Sequence, residues 1–312
     1  MAMQLSRRDL LKIAGAGFTL GLPPSSLEAL PTTADLKLGV QLWTVKDELQ
    51  RDFAGTLRQI ARIGLRRVEL YELGGRPAAQ IRAAIEAAGL ECLSAHVRFW
   101  ELDADFSGNV ERAREIGLAT LVVPVPWMPP AALKRALGGD MLRVLAEETT
   151  AETWKRTAEL LNAYGKRLRE AGLALAYHNH NIDFRRFGGK TAYEMLVATT
   201  DPRYVRLEMD CGWVASAGRN PVDYLNRWPR RFMGLHVKDV RAGFTPNVAM
   251  RTEPTEVGSG VMDWPAILQA AYSAGVREYY IEQEGPFIRP PLESVKISFD
   301  YLAQLGSHVS AR

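Results

Sequence analysis

"AETWKRTAELLNAYGKRLREAGLALAYHNHNIDF", residues 151–184, carries two periodicities in succession. From Ala151 to Ala171 the apolar residues recur every three or four positions, the pattern of an amphipathic helix. Gly172 then supplies the left-handed stop at which such helices end. Beyond it, "LALAYHN" (173–179) is a β-rich run that finishes on polar residues. Helix, glycine and strand in immediate succession are the repeating unit of an α/β fold. Two of the chain's five histidines, His178 and His180, flank Asn179 at the end of this strand.

The same unit recurs in both directions. Strands are predicted at "LKLGVQLW" (36–43), "RRVELYE" (66–72), "ECLSAHV" (91–97), "TLVVPVP" (120–126), 173–179, "VRLEMD" (205–210), "FMGLHVK" (232–238) and "YYIEQE" (279–284). Helical patterns such as "DELQRDFAGTLRQIARIG" (47–64) lie between them, and Gly64, Gly89 and Gly275 act as stops like Gly172. Eight strands alternating with helices predict a single-domain (β/α)8 TIM barrel over residues 35–312. A doubly wound open sheet is the alternative, but no Gly-x-Gly-x-x-Gly turn follows the first strand. The insertion at 127–150, rich in Pro, Ala and Gly, is expected to cap the site.

Composition narrows the function. The chain has 312 residues, 47% hydrophobic and 24% charged, with net charge +3. No basic run is interleaved with aromatics, which argues against a nucleic-acid partner. Cys92 and Cys211 cannot build a disulfide framework and are read as free buried thiols. At the N-terminus, "SRRDLLKIAGAGFTLGL" (6–22) resembles a twin-arginine export signal, an address read by a receptor. Its apolar stretch is too short for a stable transmembrane helix, so no membrane anchor is expected. Residues 1–34 are therefore assigned to signal and linker, with cleavage near Ala29 and a periplasmic location for the mature domain.

Residues two apart share a strand face, and barrels of this type carry their chemistry at the C-terminal strand ends. That parity groups Gln41 with Trp43, Glu69 with Tyr71, Ser94 with His96, and His178 with His180. It also groups Glu208 with Asp210, His236 with Lys238, and Glu282 with Glu284. Four of five histidines fall at strand ends, and His308 lies in the tail. A lone strand-end histidine is commonly a hydrogen-bonded core residue. Four of them, joined by Asp210 and Glu282, point instead to a divalent metal.

At these residues the chain resembles the xylose-isomerase-like barrel superfamily of sugar isomerases and epimerases, which includes inosose dehydratase and endonuclease IV. The matching stretches are "GVQLWTV", "GLRRVEL", "LSAHV", "YHNHNIDF", "LEMDCGWVASAGRNPVDYL", "GLHVKDV", "TEVGSGVMDW" and "YYIEQE", spanning roughly residues 36–305. The resemblance implies one divalent ion, Mn²⁺ first, with Zn²⁺, Co²⁺, Fe²⁺ or Mg²⁺ as alternatives. In the family, Glu, Asp, His and Glu from strands five to eight hold it. Asp210, His236 and Glu282 match the last three by position, while His178 stands where many members carry Glu. That departure weakens a two-glutamate epimerisation mechanism. Trp213 stands where relatives with Asp-x-x-His place a substrate-contacting histidine.

The expected activity is isomerisation or epimerisation of a sugar or keto-sugar by proton abstraction next to a carbonyl. Glu282, His180 and Glu284 are candidate bases. Lys238 is either an oxyanion support or a salt-bridge partner. Asp239 is expected to point the other way and orient a loop. Glu69 and Glu208 could equally be interior ion pairs. Substrate contacts are expected from Trp43, Glu69, His96, Trp127 and Trp213, with Trp100 nearby and Glu256 on a loop that closes over the substrate. Dehydration or lysis of a 3-keto-sugar or inosose is the alternative outcome. A non-catalytic periplasmic sugar-binding barrel is the alternative of another class, and a homo-dimer or tetramer is allowed.

Overall fold

A computed structural model describes residues 38–139 and 141–307. The expectations placed on residues 1–34 and on His308 lie outside these described residues.

All eight expected strands are present, as β1 (Leu38–Gln41), β2 (Arg67–Leu70), β3 (Glu91–His96), β4 (Thr120–Val123), β5 (Ala174–His178), β6 (Val205–Asp210), β7 (Phe232–Val237) and β8 (Glu278–Ile281). They close in the order β1-β8-β7-β6-β5-β4-β3-β2, and every pairing is parallel. Closure by β1 on β8, with Leu38–Val40 opposite Tyr279–Ile281, excludes the open sheet. The register shifts at two places, between Val68 and Glu69 on the β2–β3 edge and between Leu207 and Glu208 on the β6–β7 edge.

Outward strand residues Val40, Val68, Leu121, Leu175, Leu207, Leu235 and Tyr279 are fully buried under the helices. Each such side chain stabilises the fold by about 1.5–3 kcal/mol before entropy is counted. The helix Ala151–Glu170 shows how this layer is specified. Thr150 caps it by accepting from Thr153 N, and Trp154, Leu161 and Leu168 form its buried face. Gly172, at φ +79°, then turns the chain into β5.

Most strands are shorter than their sequence patterns, and the difference matters at β1. Gln41 ends the strand because its side chain accepts from Trp43 N at 3.1 Å. Leu42–Val45 thereby becomes a 3-10 turn, so Trp43 leaves the face it was expected to share with Gln41 and is 39% exposed. The 127–150 insertion folds into helices Pro130–Leu137 and Met141–Glu148. Cys92 and Cys211 are free and buried. Among the described residues no helix is long and apolar enough to cross a membrane.

Candidate metal and substrate site

Strand alternation turns a second set of side chains onto the barrel axis, and these are polar. Glu69, Ser94, Glu208 and His236 are fully buried there, with His96 and His178 nearly so. Glu69 is saturated: Gln41 Nε2 donates to its Oε1 at 2.7 Å and the Ser94 hydroxyl donates to its Oε2. His236 Nε2 lies 2.8 Å from Glu69 Oε1 and 3.1 Å from Glu208 Oε2. His96 Nε2 lies 3.3 Å from Glu208 Oε2, and His178 Nδ1 lies 3.3 Å from the same oxygen. Burial alone would raise the Glu69 carboxyl, but bonds from His236 and His96 hold it well below the usual carboxylate range. Burial likewise opposes charge on His236, yet Glu208 and Glu282 outweigh it and raise its pKa. His178 goes the other way, held neutral by burial and then by the charge of His236.

Above this layer is a second convergence. Lys238 Nζ sits 2.8 Å from Asp210 Oδ2, 2.9 Å from Glu282 Oε2 and 2.7 Å from Glu284 Oε1. Burial would strip its proton, but the three carboxylates hold it charged. Glu282 is kept ionised in turn, since Lys238 and His236 override the cost of burying it. Burial pushes the Asp210 carboxyl up, but with an ammonium 2.8 Å away the two are best described as one ion pair. His236 Nδ1 lies 2.9 Å from Glu282 Oε2, and His178 Nε2 lies 4.0 Å from Asp210 Oδ2.

Local sequence builds this arrangement. Asp210 also caps the helix Cys211–Ser216 by accepting from Trp213 N at 2.8 Å. Gly212 leaves room for the lysine stem, because a Cβ there would stand 2.5 Å from Lys238 Cγ. In "YHNHNIDF" the asparagines do the tying. Asn179 exchanges 3.2 Å hydrogen bonds with the Asp210 backbone, and Asn181 pins the 247–251 loop through Asn247, Met250 and Arg251.

The donor set suits a divalent cation. Asp210, His236 and Glu282 offer one ligand atom each within 4.8 Å of one another. Asp210 Oδ2 and Glu282 Oε2 are buried acceptors whose shared cationic partner is the Lys238 ammonium, at 2.8 and 2.9 Å, so a lysine sits among these oxygens as a stand-in cation. His178 borders this group through Nε2 but also belongs to a lower one with His96, Glu208 and His236.

The remaining expected residues separate. His180 stands on the rim, its ring 5.0 Å from His178 and 5.1 Å from Trp213. Trp213 is buried, with Nε1 unpaired and its ring 5.1 Å from Lys238 Nζ. It borders a cleft of about 640 Å³, shared with Leu142, Asn247, Arg251 and Glu284, so the insertion does reach the mouth. Trp43 packs edge-on against Tyr71, and half-buried Trp127 is fixed by its backbone N–H to Thr157. Two residues expected as substrate contacts are turned elsewhere, Glu69 into its alternative role as an interior ion pair. Glu69 lies in the buried layer beneath the imidazoles, where its oxygens already have partners. Glu256 turns inward, accepting from Ser294 and Thr255, and so anchors the last helix. The loop's own fixed point is Asp239, which accepts from the Gly258 and Met262 amides and from Trp264 Nε1. A Cβ at Gly260 would lie 2.1 Å from the Asp239 carboxylate, which explains the glycine.

A closed eight-stranded parallel barrel with a buried His/Asp/Glu cluster at its mouth defines the class. The chain belongs to the xylose isomerase-like TIM barrel family, whose description matches residues 57–305. Among curated proteins, inosose dehydratase of Clostridium beijerinckii is 25% identical over 228 residues, 67% of this chain and 73% of that one. The inosose dehydratase of Lacticaseibacillus casei is 30% identical over 170 residues, 49% of this chain and 55% of the relative, so there the match spans about half of each. A solved sugar phosphate isomerase/epimerase from Parabacteroides distasonis superposes with TM-score 0.69 at 25% identity, covering 87% of this chain and 95% of that one.

Proposed function

We propose that the protein is a divalent-metal-dependent enzyme that removes a proton next to the carbonyl of a sugar or keto-sugar, with isomerisation or epimerisation as the outcome. The observation that carries this is the convergence of Asp210, Glu282 and Glu284 on the buried Lys238 ammonium, beside the outward nitrogens of His178 and His236. His178, Asp210, His236 and Glu282 would hold one ion, Mn²⁺ first, supplying Lewis-acid charge beside the substrate oxygens. Lys238 is preorganised to stabilise negative charge developing on a carbonyl oxygen. Glu284, whose side chain is 25% exposed and borders the cleft, is placed to take the proton, and Lys238 orients it. Trp213 and Trp43 offer apolar faces to a sugar ring.

Dehydration is the second reading, favoured by the one-sided placement of the proton-carrying groups. Lys238, Glu282 and Glu284 all follow β7 or β8, whereas the β5 position holds an imidazole where a second carboxylate would serve the opposite face. The inosose dehydratase relatives agree with it. The sequence of residues 6–22 further supports export to the periplasm.

The test is metal analysis of protein purified without chelator, followed by incubation of the loaded protein with keto-sugars and inososes in D₂O. Isomerisation would place deuterium on carbon with the carbon skeleton and oxygens retained. Dehydration would give a product lighter by one water. Neither exchange nor elimination, in protein that holds its ion, would sink the catalytic proposal and leave a sugar-binding barrel.

A further inference from the structure

His178 and His236 each present one nitrogen to the mouth and the other to the interior below. Upward, His178 Nε2 faces Asp210 and His236 Nδ1 faces Glu282. Downward, His178 Nδ1 faces Glu208, and His236 Nε2 faces Glu69 and Glu208. Two groups of ligand-type atoms therefore meet at these rings: an outer one of Asp210, His236 and Glu282, which His178 Nε2 borders, and an inner one of His96, His178, Glu208 and His236. A neutral imidazole has one lone-pair nitrogen and one N–H. The shared rings can serve one group or the other, so the tautomer decides where an ion sits.

We propose that Glu69 and Glu208 are positioning residues. As a carboxylate floor they would hold the N–H groups of His178 and His236 from below. When an ion takes the place of the proton that His236 Nδ1 now gives Glu282, both upward nitrogens offer it lone pairs and the ion is directed to the outer group. The proposal rests on the metal-dependent reading given above. Three independent features support it. Glu69 is clamped by Gln41 and the Ser94 hydroxyl, so it cannot swing upward to become a ligand itself. The two register shifts flanking the barrel fall at Glu69 and Glu208, and such irregularities re-aim side chains next to functional sites. His178 Nδ1 is buried without a hydrogen bond yet lies 3.3 Å from Glu208 Oε2, so a floor acceptor stands within reach of an unsatisfied ring nitrogen. The floor also gives a reason for histidine at position 178. A carboxylate there would face the Glu208 carboxylate, whereas an imidazole offers it a donor. Outer-shell carboxylates of this kind typically change metal affinity about 10–100-fold when removed.

The experiment uses the full chain, stripped with chelator and titrated with Co²⁺ and Mn²⁺, following stoichiometry, affinity by chelator competition and the Co²⁺ visible spectrum. Metal-free melting temperature controls for folding. The wild type should bind one equivalent. Glu208→Gln should weaken binding about 10–100-fold and alter the Co²⁺ bands, while His96→Gln, which removes an inner-group nitrogen, should leave affinity within a few-fold of wild type. Glu69→Gln serves as the second floor variant if Glu208→Gln does not fold. Unchanged affinity and spectrum in the floor variants would overturn the proposal. So would a loss in His96→Gln as large as in Glu208→Gln, or a second bound ion, because either makes the inner group the ligand set. No binding by the wild type would overturn the metal-dependent reading itself, and this proposal with it.

Discussion

The mouth of the barrel has two unlike halves. After β5–β8 stand His178, Asp210, His236, Lys238 and Glu282, all buried, and the quarter-exposed Glu284, with the three carboxylates 2.7–2.9 Å from the lysine. After β1–β4 stand Trp43, Tyr71, Trp100 and Trp127, at least partly exposed and held by packing and backbone contacts. The difference is one of interdependence. Buried charges are tolerable only as a compensated set, so removing one member strands the others. Rim aromatics add contact area one by one and can be removed at modest cost. The charged half is thus the part that can carry chemistry, and the aromatic half the part that can recognise a sugar face.

The sharpest break of that contrast is Lys238→Met. It should lower activity about 10²–10⁴-fold and leave Asp210, Glu282 and Glu284 without their cation, costing about 3–5 kcal/mol. A chain of this size should then melt roughly 10 °C lower. Because Lys238 sits where an ion would be held, added Mn²⁺ should recover more melting temperature in Lys238→Met than in the wild type. Calorimetry with and without the ion checks this, and equal recovery would show that the lysine is no stand-in. Glu284→Gln should separate chemistry from stability. Activity should fall about 10²-fold or more, while the melting temperature should fall much less than in Lys238→Met, since this carboxylate is a quarter exposed and Asp210 and Glu282 still compensate Lys238.

A smaller effect distinguishes two histidines in chelator-treated protein. Glu208 and Glu69 overcome burial and raise the His96 pKa to about 9. The stability it contributes is present below its ordinary value near ~6.5 and is lost as pH rises through about 9. His180 is pushed down to about 3 by burial and then by Lys238. Its fold-specific neutrality costs stability as pH falls from ~6.5 toward 3. Melting temperature against pH should lose its alkaline flank in His96→Gln and soften its acid flank in His180→Gln. Identical profiles for both variants would break the assignment.

Much of this was legible in the residues. The alternation of helix, glycine and strand forecast the barrel, and parity put His178, Asp210, His236, Lys238 and Glu282 on one inward surface. Parity fixes a face but not a depth. Glu69 and Asp210 both point inward, yet one lies under the imidazoles and the other above them, because strand stagger and the two register shifts set the level. That is why Glu208 reads equally as an ion-pair residue in the sequence and emerges as floor only from the register. Loop residues were less legible still. Glu256 lies in a strong motif, but its partner Ser294 is on a helix far along the chain, and no local pattern announces that contact.

The smallest effect belongs to the aromatic half. Trp43 is the most exposed of its group, edge-on to Tyr71 at 5.5 Å and beneath the Lys46 ammonium at 5.4 Å. Neither contact is coupled to the charged cluster, so Trp43→Ala should leave kcat and metal affinity as they are. If its face receives a sugar ring, the loss is about 0.5–1.5 kcal/mol of contact, a rise in KM of roughly 2–10-fold. Steady-state kinetics on whichever keto-sugar the D₂O screen identifies would read this directly. A fall in kcat with KM unchanged would tie Trp43 to the reacting centre, and the division of the mouth into a chemical and a recognition half would then fail at β1.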